Sequence, residues 1–491
     1  MIDELVRLIK HSGIYGVGIV LSKAIGFLMI PVYTRFLSPS DYGILELLDL
    51  VIFFVGIFGA MGIYLAVFRF YAAYESESEK KEVISTALLY SAGVFVLLAL
   101  AMIFWAPAVA RLVFGHSTFA PFVRIISLTL LFSNLTEVPL AYWRARGRTM
   151  LFVCVGLGRT LLGVLLLVYF VVVVKWGVAG AICANLLTNA IAGLTLFGVV
   201  FSSVPRRIYT DKLKQMLWYG IPLIPQTLAL FVLVFSDRFF LRHFGNLAEV
   251  GIYALGYKLA GILTVLVSTP FSLAWAWQQF ELAKRDDARQ VYAKIQVYLL
   301  LISLFIGLSV ALFARDAIRI IAPMSYWPAA RIVPLIVLCY VLNDIRSIVL
   351  SGILIQKATH YLPPIAAAIT VTNLFLNYVL ISRYLAVGAA TATALTYVLN
   401  LLLCYCVAQH VYFIRYDYVR NVMALGSATL IYLVSTLHGL PLISSVVVNL
   451  SLLMIFLVIC FRLLHREERG VFRQLGFNIA YRLREAWIRA E

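Results

Sequence analysis

Apolar runs of about 20 residues, the length a helix needs to cross a bilayer, recur along almost the whole chain. Short polar breaks separate them. Barrel strands would instead give segments of roughly 10 residues alternating apolar and polar, and these runs do not alternate. The pattern predicts an all-α integral membrane protein with fourteen spans: 11–37, 41–68, 83–106, 121–143, 150–174, 178–202, 214–244, 248–277, 291–314, 328–355, 361–382, 387–411, 419–437 and 443–463. Twelve is the fallback count. Pro31, Pro139, Pro222, Pro225, Pro270 and Pro334 fall within spans, where proline frees a carbonyl and kinks a helix.

Composition agrees. Of 491 residues, 63% are hydrophobic and 13% charged, with mean hydropathy +0.96. Soluble domains run nearer half apolar and a quarter charged. The opening MIDELVRLIK lacks the features of a cleaved signal peptide. The net charge of +17 changes the picture less than it first suggests. The basic residues lie between the apolar runs, where they orient a polytopic protein, so a nucleic-acid partner is not expected. With the N-terminus inside, 26 of the 40 lysines and arginines fall on the cytoplasmic side. Both termini are therefore expected in the cytoplasm. The far-side loops are short, the longest near 315–327, and none is large enough to fold as a domain. The tail 465–491 is basic and carries Phe472, Leu475, Phe477, Ile479, Leu483 and Trp487. It reads either as an amphipathic helix on the anionic cytoplasmic face or as a solvated tail. Trp218, Trp275 and Trp277 are expected as interfacial anchors. The six cysteines lie in apolar runs without zinc or redox spacing and are expected as small core residues.

An internal repeat organises the spans. Arg35-Phe36 is followed by Asp41-Tyr42-Gly43-Ile44, and His243-Phe244 by Glu249-Val250-Gly251-Ile252, an offset of 208 residues. Trp176-Gly177-Val178-Ala179-Gly180-Ala181 faces Tyr384-Leu385-Ala386-Val387-Gly388-Ala389 at the same offset. The expected layout is an N-lobe at 1–206 (spans 1–6), a C-lobe at 207–413 (spans 7–12), two further spans in 414–464, and the basic tail 465–491. Six spans return the chain to its starting side, so the lobes are parallel repeats that can enclose a central cavity. Asp41 and Glu249 suit a first helical turn, whose N–H groups are unpaired.

A charge at a helix centre should face protein or water. The deep candidates are Lys23, Glu46, Asp49, Glu137, Arg159, Asp237, Arg238, Lys258, Asp344 and Arg346. Lys23, Lys258 and Arg159 could form a cationic patch in the cavity, suited to phosphate or pyrophosphate. Alternatively, Lys23 pairs with Glu46 or Asp49 and only ties helices together. Those two acids are the candidates for ion pairing or ion coupling. Asp237-Arg238 and Asp344-Ile345-Arg346 read as local ion pairs or interface residues. Asn185 with Asn189, and Asn373 with Asn377, have helical spacing; they could touch sugar hydroxyls or simply bond helix to helix.

There is no Walker loop, no histidine cluster with metal-ligand spacing, and no large far-side loop to hold a catalytic site. No cofactor, metal or enzymatic activity is expected.

Two stretches resemble a known family. GVGIVLSKAIGFLMIPVYTRFLSPSDYGILELLDLV looks like spans one and two of bacterial polysaccharide (O-antigen-type) flippases, and WYGIPLIPQTLALFVLVFSDRFFLRHFGNLAEVGIYALGYKLAGIL like the start of their second lobe. That family belongs to the multidrug, oligosaccharidyl-lipid and polysaccharide exporter superfamily. The resemblance implies flipping of an undecaprenyl-pyrophosphate-linked oligosaccharide to the outer leaflet of the bacterial inner membrane. It implies a cavity cation at Lys23 and Lys258, while Arg159 rests on the residues alone. The expected partners are the anionic lipid-linked oligosaccharide, membrane lipids and a coupling ion. The protein is expected to act as a monomer, alone or with glycan polymerase machinery. The competing readings are a drug/cation antiporter of the same superfamily, against which Lys23 counts, and a membrane-embedded glycan polymerase or transferase.

Overall fold

The computed structural model describes residue 18 and residues 20–437, 440–465 and 468. Among these the chain is helical, with no strand. Eleven helical stretches are long and apolar enough to cross a membrane. One of them, Thr359–Val411, holds two of the expected crossings, joined at Leu385, whose φ of 48 and ψ of −128 break the helix. Tyr418–Thr436 is the thirteenth expected span. The first is helical over residues 20–28 and Ile30–Phe36, and its beginning lies outside the described residues. Among the described residues the all-α architecture holds, with a helix at each of the fourteen expected spans. The basic tail lies outside the described residues, apart from His465 and Glu468.

Proline places the breaks within the spans. Pro31 follows the turn at Met29. Pro222 sits in the short Ile221–Leu223 turn, and Pro225 opens the helix Ile224–Phe244. Pro270 opens Thr269–Leu282 after a wide turn at Thr264–Ser268. Lacking an N–H, proline fits a first helical turn and not an interior one. The repeat also shows in the backbone. Gly177 has φ 55 and Leu385, its partner at offset 208, has φ 48. Both halves thus leave the right-handed region at the same place, one with the residue that tolerates it and one without.

The chain forms two compact units. One comprises Met1–Leu259, Ile318–Ile336 and His360–Asn400; the other comprises Ala260–Ala317, Val337–Thr359 and Leu401–Glu491. In the first, Ile63, Val67, Ile84, Leu88, Trp143 and Met216 are among the buried residues of one apolar core. The outer surfaces remain apolar: Leu112, Phe104 and Leu165 are all exposed. Hydrocarbon solvates such side chains as readily as a protein interior does, so a membrane helix need not bury them.

Three expectations are corrected. Trp275 is no interfacial anchor; it is buried and its Nε1 donates to Ser351 Oγ at 3.0 Å, whereas Trp218 and Trp277 are exposed. Cys154 and Cys406 are exposed rather than core residues, while Cys339, Cys404 and Cys460 are buried. The far-side loop expected near 315–327 is helical over much of its length, because Ala288–Ile321 runs past the end of its apolar stretch and Met324–Arg331 is a tight helix.

Candidate functional site

The helix Pro39–Ala60 starts at a reciprocal cap. Ser38 Oγ accepts from the Asp41 backbone N–H at 3.2 Å, and Asp41 Oδ2 accepts from the Ser38 backbone N–H at 3.0 Å. Two otherwise orphaned donors are thereby satisfied, which gives Asp41 the structural role its position predicts. Glu249 lies in the first turn of Leu247–Ala260, where Asn246 Oδ1 accepts from its backbone N–H at 3.0 Å.

These two helix starts meet. A Cβ on Gly43 would lie 2.0 Å from the carbonyl oxygen of Leu247, and one on Gly251 2.0 Å from that of Pro39. Pro39 and Leu247 are themselves 208 residues apart, so the contact is reciprocal: each repeat motif uses its glycine to seat the other's carbonyl. Only hydrogen fits at either position. A second repeat-related pair lies nearby. Thr34 Oγ1 donates to Ile321 O at 2.8 Å, and Arg242, 208 residues after Thr34, donates from Nη2 to Phe114 O.

Below this contact, Pro39–Ala60 carries Tyr42, Glu46, Asp49 and Phe53 at spacings that share one helical face. Opposite stands Ile224–Phe244 with Phe231, Phe235 and Arg238. Phe53 stacks on Phe231 with ring centroids 5.8 Å apart. Arg238 is fully buried and paired on two sides, Nη1 to Asp237 Oδ1 at 2.8 Å and Nε to Glu46 Oε1 at 3.6 Å. Its guanidinium carbon lies 4.5 Å from the Tyr257 ring centroid and 5.0 Å from that of Tyr253. The Tyr253 hydroxyl donates to Asp237 Oδ2 at 2.5 Å.

Lys258 completes the group. Its Nζ lies 4.6 Å from the centroid of the Tyr42 ring and 5.9 Å from that of Tyr33. Glu46 and Asp49 are close enough to act on it electrostatically, yet neither reaches ion-pair distance. Lys258 and Asp49 both keep accessible surface although protein surrounds them. A cation held by ring faces and by carboxylates that do not close on it keeps donors available for an incoming anion.

Lys258, Glu46 and Asp49 therefore come together. Lys23 and Arg159 make no described contact with them. Lys23 is exposed on the helix of residues 20–28, without an ion pair among the described residues. Arg159 is half-buried on Thr149–Leu167, donates from Nη2 to Asn189 Oδ1 and from Nη1 to Thr136 Oγ1 at 3.5 Å, and lies beside Glu137. Asn189 in turn donates to Asn185 Oδ1 at 2.6 Å. Of the four singled-out amides only Asn185 is exposed. Asn373 and Asn377 are buried and tie helices together: Ser236 Oγ donates to Asn373 Oδ1 at 3.2 Å, and Asn377 Nδ2 donates to Ser236 Oγ at 3.1 Å. Asp344 accepts from Ser303 Oγ at 2.7 Å, and Arg346 donates to Cys404 Sγ at 4.0 Å.

The tyrosines around the cations were missed by sequence reasoning, which treated the aromatic residues as interfacial anchors. A signal existed: Tyr42 shares a face with Glu46 and Asp49, and Tyr253 and Tyr257 are four residues apart. Spacing alone does not say which faces meet.

The sequence model of the family described as "Polysaccharide biosynthesis protein" matches residues 8–276. No curated protein matches the chain. Among solved structures, the lipid II flippase MurJ in an inward closed conformation superposes with a TM-score of 0.74 at 13% identity, covering 91% of this chain and 98% of that one. An inward-facing multidrug resistance MATE family transporter of the MOP superfamily gives a TM-score of 0.59 at 16% identity, covering 79% of this chain and 95% of that one. An outward-facing MATE family transporter gives 0.55 at 16% identity, covering 82% and 94%. At these identities the likeness is one of fold.

Proposed function

Because the chain belongs to the polysaccharide biosynthesis protein family, we propose that it is a flippase of the bacterial cytoplasmic membrane. In this reading it carries an undecaprenyl-pyrophosphate-linked oligosaccharide from the cytoplasmic to the outer leaflet by alternating access. It is a transporter rather than an enzyme, acting on an anionic lipid-linked glycan within the bilayer. The observation that carries the reading is Lys258, an accessible ammonium group enclosed by protein, braced by Tyr42 and without a closed ion pair among the described residues. A pyrophosphate offers the charge and acceptor oxygens that such a group binds best. Lys23 is proposed as a second cation on the same path, Arg159 with Asn185 as a further polar contact, and Glu46 and Asp49 as the acids that hold or release Lys258.

The two lobes, residues 1–206 and 207–413, are the proposed moving bodies. Both termini and the basic tail belong on the cytoplasmic side, where anionic lipids attract arginine. The fold shared with lipid II flippase MurJ supports a lipid-linked cargo.

The test is reconstituted transport of defined lipid-linked glycans, together with surface glycan in cells. Lys258→Ala removes one charge-assisted contact, worth about 1.5–3 kcal/mol, and should lower transport roughly ten- to hundredfold at unchanged protein level. Lys258→Arg should retain part of it. Undiminished transport in Lys258→Ala would remove Lys258 from the path. The second reading, a drug/cation antiporter, draws on the accessible Asp49 and on the MATE-like fold. Efflux of a cationic dye that depends on Asp49, with no glycan transport, would establish it instead.

A further inference from the structure

Within the second compact unit, Asp316 is a buried carboxyl group that makes no ion pair among the described residues. Asp316 is 2% exposed. It lies near the end of Ala288–Ile321, against the first turns of Leu442–Leu463. Ser445 Oγ donates to Asp316 Oδ2 at 2.9 Å and Asn449 Nδ2 to the same oxygen at 3.3 Å. Asn449 Nδ2 also donates to Leu312 O at 3.1 Å and Ser445 Oγ at 3.4 Å. Asp316 Oδ1 and Asn449 Oδ1 are both buried without any partner. The cluster thus has two idle acceptor oxygens and a carboxyl group without an ion pair among the described residues. Neighbouring arginines do not supply the compensation: Arg315 is exposed, and Arg319 lies 5.3 Å from the Trp327 ring centroid.

We propose that Asp316, Asn449, Ser445 and the Leu312 carbonyl form a binding site for a monovalent alkali cation. Every ligand is a hard oxygen, the type that suits such ions. The single carboxylate matches a single positive charge, and among the described residues no group of three histidines, cysteines or acids suits a more highly charged metal. The spacing fits as well. An amide oxygen and nitrogen are interchangeable by rotation. Turned over, Asn449 places its oxygen 3.1 Å from Leu312 O, 3.3 Å from Asp316 Oδ2 and 3.4 Å from Ser445 Oγ. Neighbouring ligands on an octahedral cation with bonds of about 2.4 Å lie about 3.4 Å apart. The amide is therefore a switch: its N–H groups hold the cluster without the ion, and its oxygen joins the ligands with it. The site ties the helix Leu442–Leu463 to the helix Ala288–Ile321, so occupancy governs how firmly the two are joined.

The inference goes beyond the proposed cargo and is tested without it. The full chain in lipid nanodiscs is unfolded thermally in NaCl, KCl or choline chloride at constant ionic strength. Na+ or K+ should raise the midpoint saturably while choline does not, the two salts distinguishing which alkali ion the site prefers. Asp316→Asn, close in shape, should lose the saturable rise, and Asn449→Leu should lose it too. Ser445→Ala, a milder change, should keep the rise but move it to higher salt concentration. A wild type that responds alike to all three salts, or an Asp316→Asn protein that retains the alkali-specific rise, would overturn the site. A midpoint that follows pH in the wild type alone, with no alkali dependence, would make the ligand a proton and overturn the proposal equally.

Discussion

Lys258 and Arg238 show how two cations on neighbouring helices come to differ. Arg238 is enclosed by Asp237, Glu46 and three aromatic rings, so its charge is spent within the protein. Lys258 has a ring beneath it and carboxylates at a distance, so its charge remains available. Replacing Arg238 leaves the buried Asp237 and the half-buried Glu46 without their cation, at a cost of about 3–5 kcal/mol for the buried member. Arg238→Met should therefore lower the unfolding midpoint sharply, while Lys258→Ala should leave it nearly unchanged and act on transport. Equal thermal stability of the two variants would mean that Arg238 is not structural. The deep charges were legible residue by residue, since few residues interrupt the apolar runs. Their division into a spent and an available cation was not, because it depends on which helical faces meet.

Among elements, the contact between Pro39–Ala60 and Leu247–Ala260 admits no side chain. Gly251→Ala places a Cβ against the Pro39 carbonyl at 2.0 Å and forces the two helix starts apart, an overpacking cost of about 1–3 kcal/mol. If this contact closes the far side during transport, the variant should favour its opening. A membrane-impermeant maleimide should then label an introduced Ser40→Cys faster in the Gly251→Ala background than in its absence, and equal rates would exclude the gating role. The segment after the last span makes a different prediction. Burial pushes the Glu468 carboxyl up, but the His465 backbone N–H, the Tyr298 hydroxyl and the Arg420 guanidinium together outweigh burial and hold it below the usual glutamate range. A lowered folded value means that the carboxylate stabilises the fold fully above the unfolded value, and that this support is lost as pH falls through the folded one. The region around residue 465 should therefore become more open to protease at acid pH. In Glu468→Gln that pH dependence should vanish.

For the molecule as a whole, orientation is the property with the widest consequence, since under the proposed function it sets the side from which cargo would reach Lys258. A reporter active only in the cytoplasm, fused after Leu464, should be active, and one active only outside should be silent; the reverse result would invert the layout. Span number, helix breaks and repeat were open to sequence reasoning. Apolar length, proline and an offset of 208 residues are properties of the chain read in order, and hydrocarbon demands helices whose backbone bonds close on themselves. Tertiary structure decided the rest. It brought Gly43 against Gly251, set Tyr42 beneath Lys258, buried Trp275, and left Asp316 beside Asn449. Each depends on helices distant in sequence, and a span that is apolar all round carries no mark of the face it will bury. In a membrane hydrophobicity gives no direction to packing. Close fit and polar pairing choose the partner, and those exist only once the helices have met.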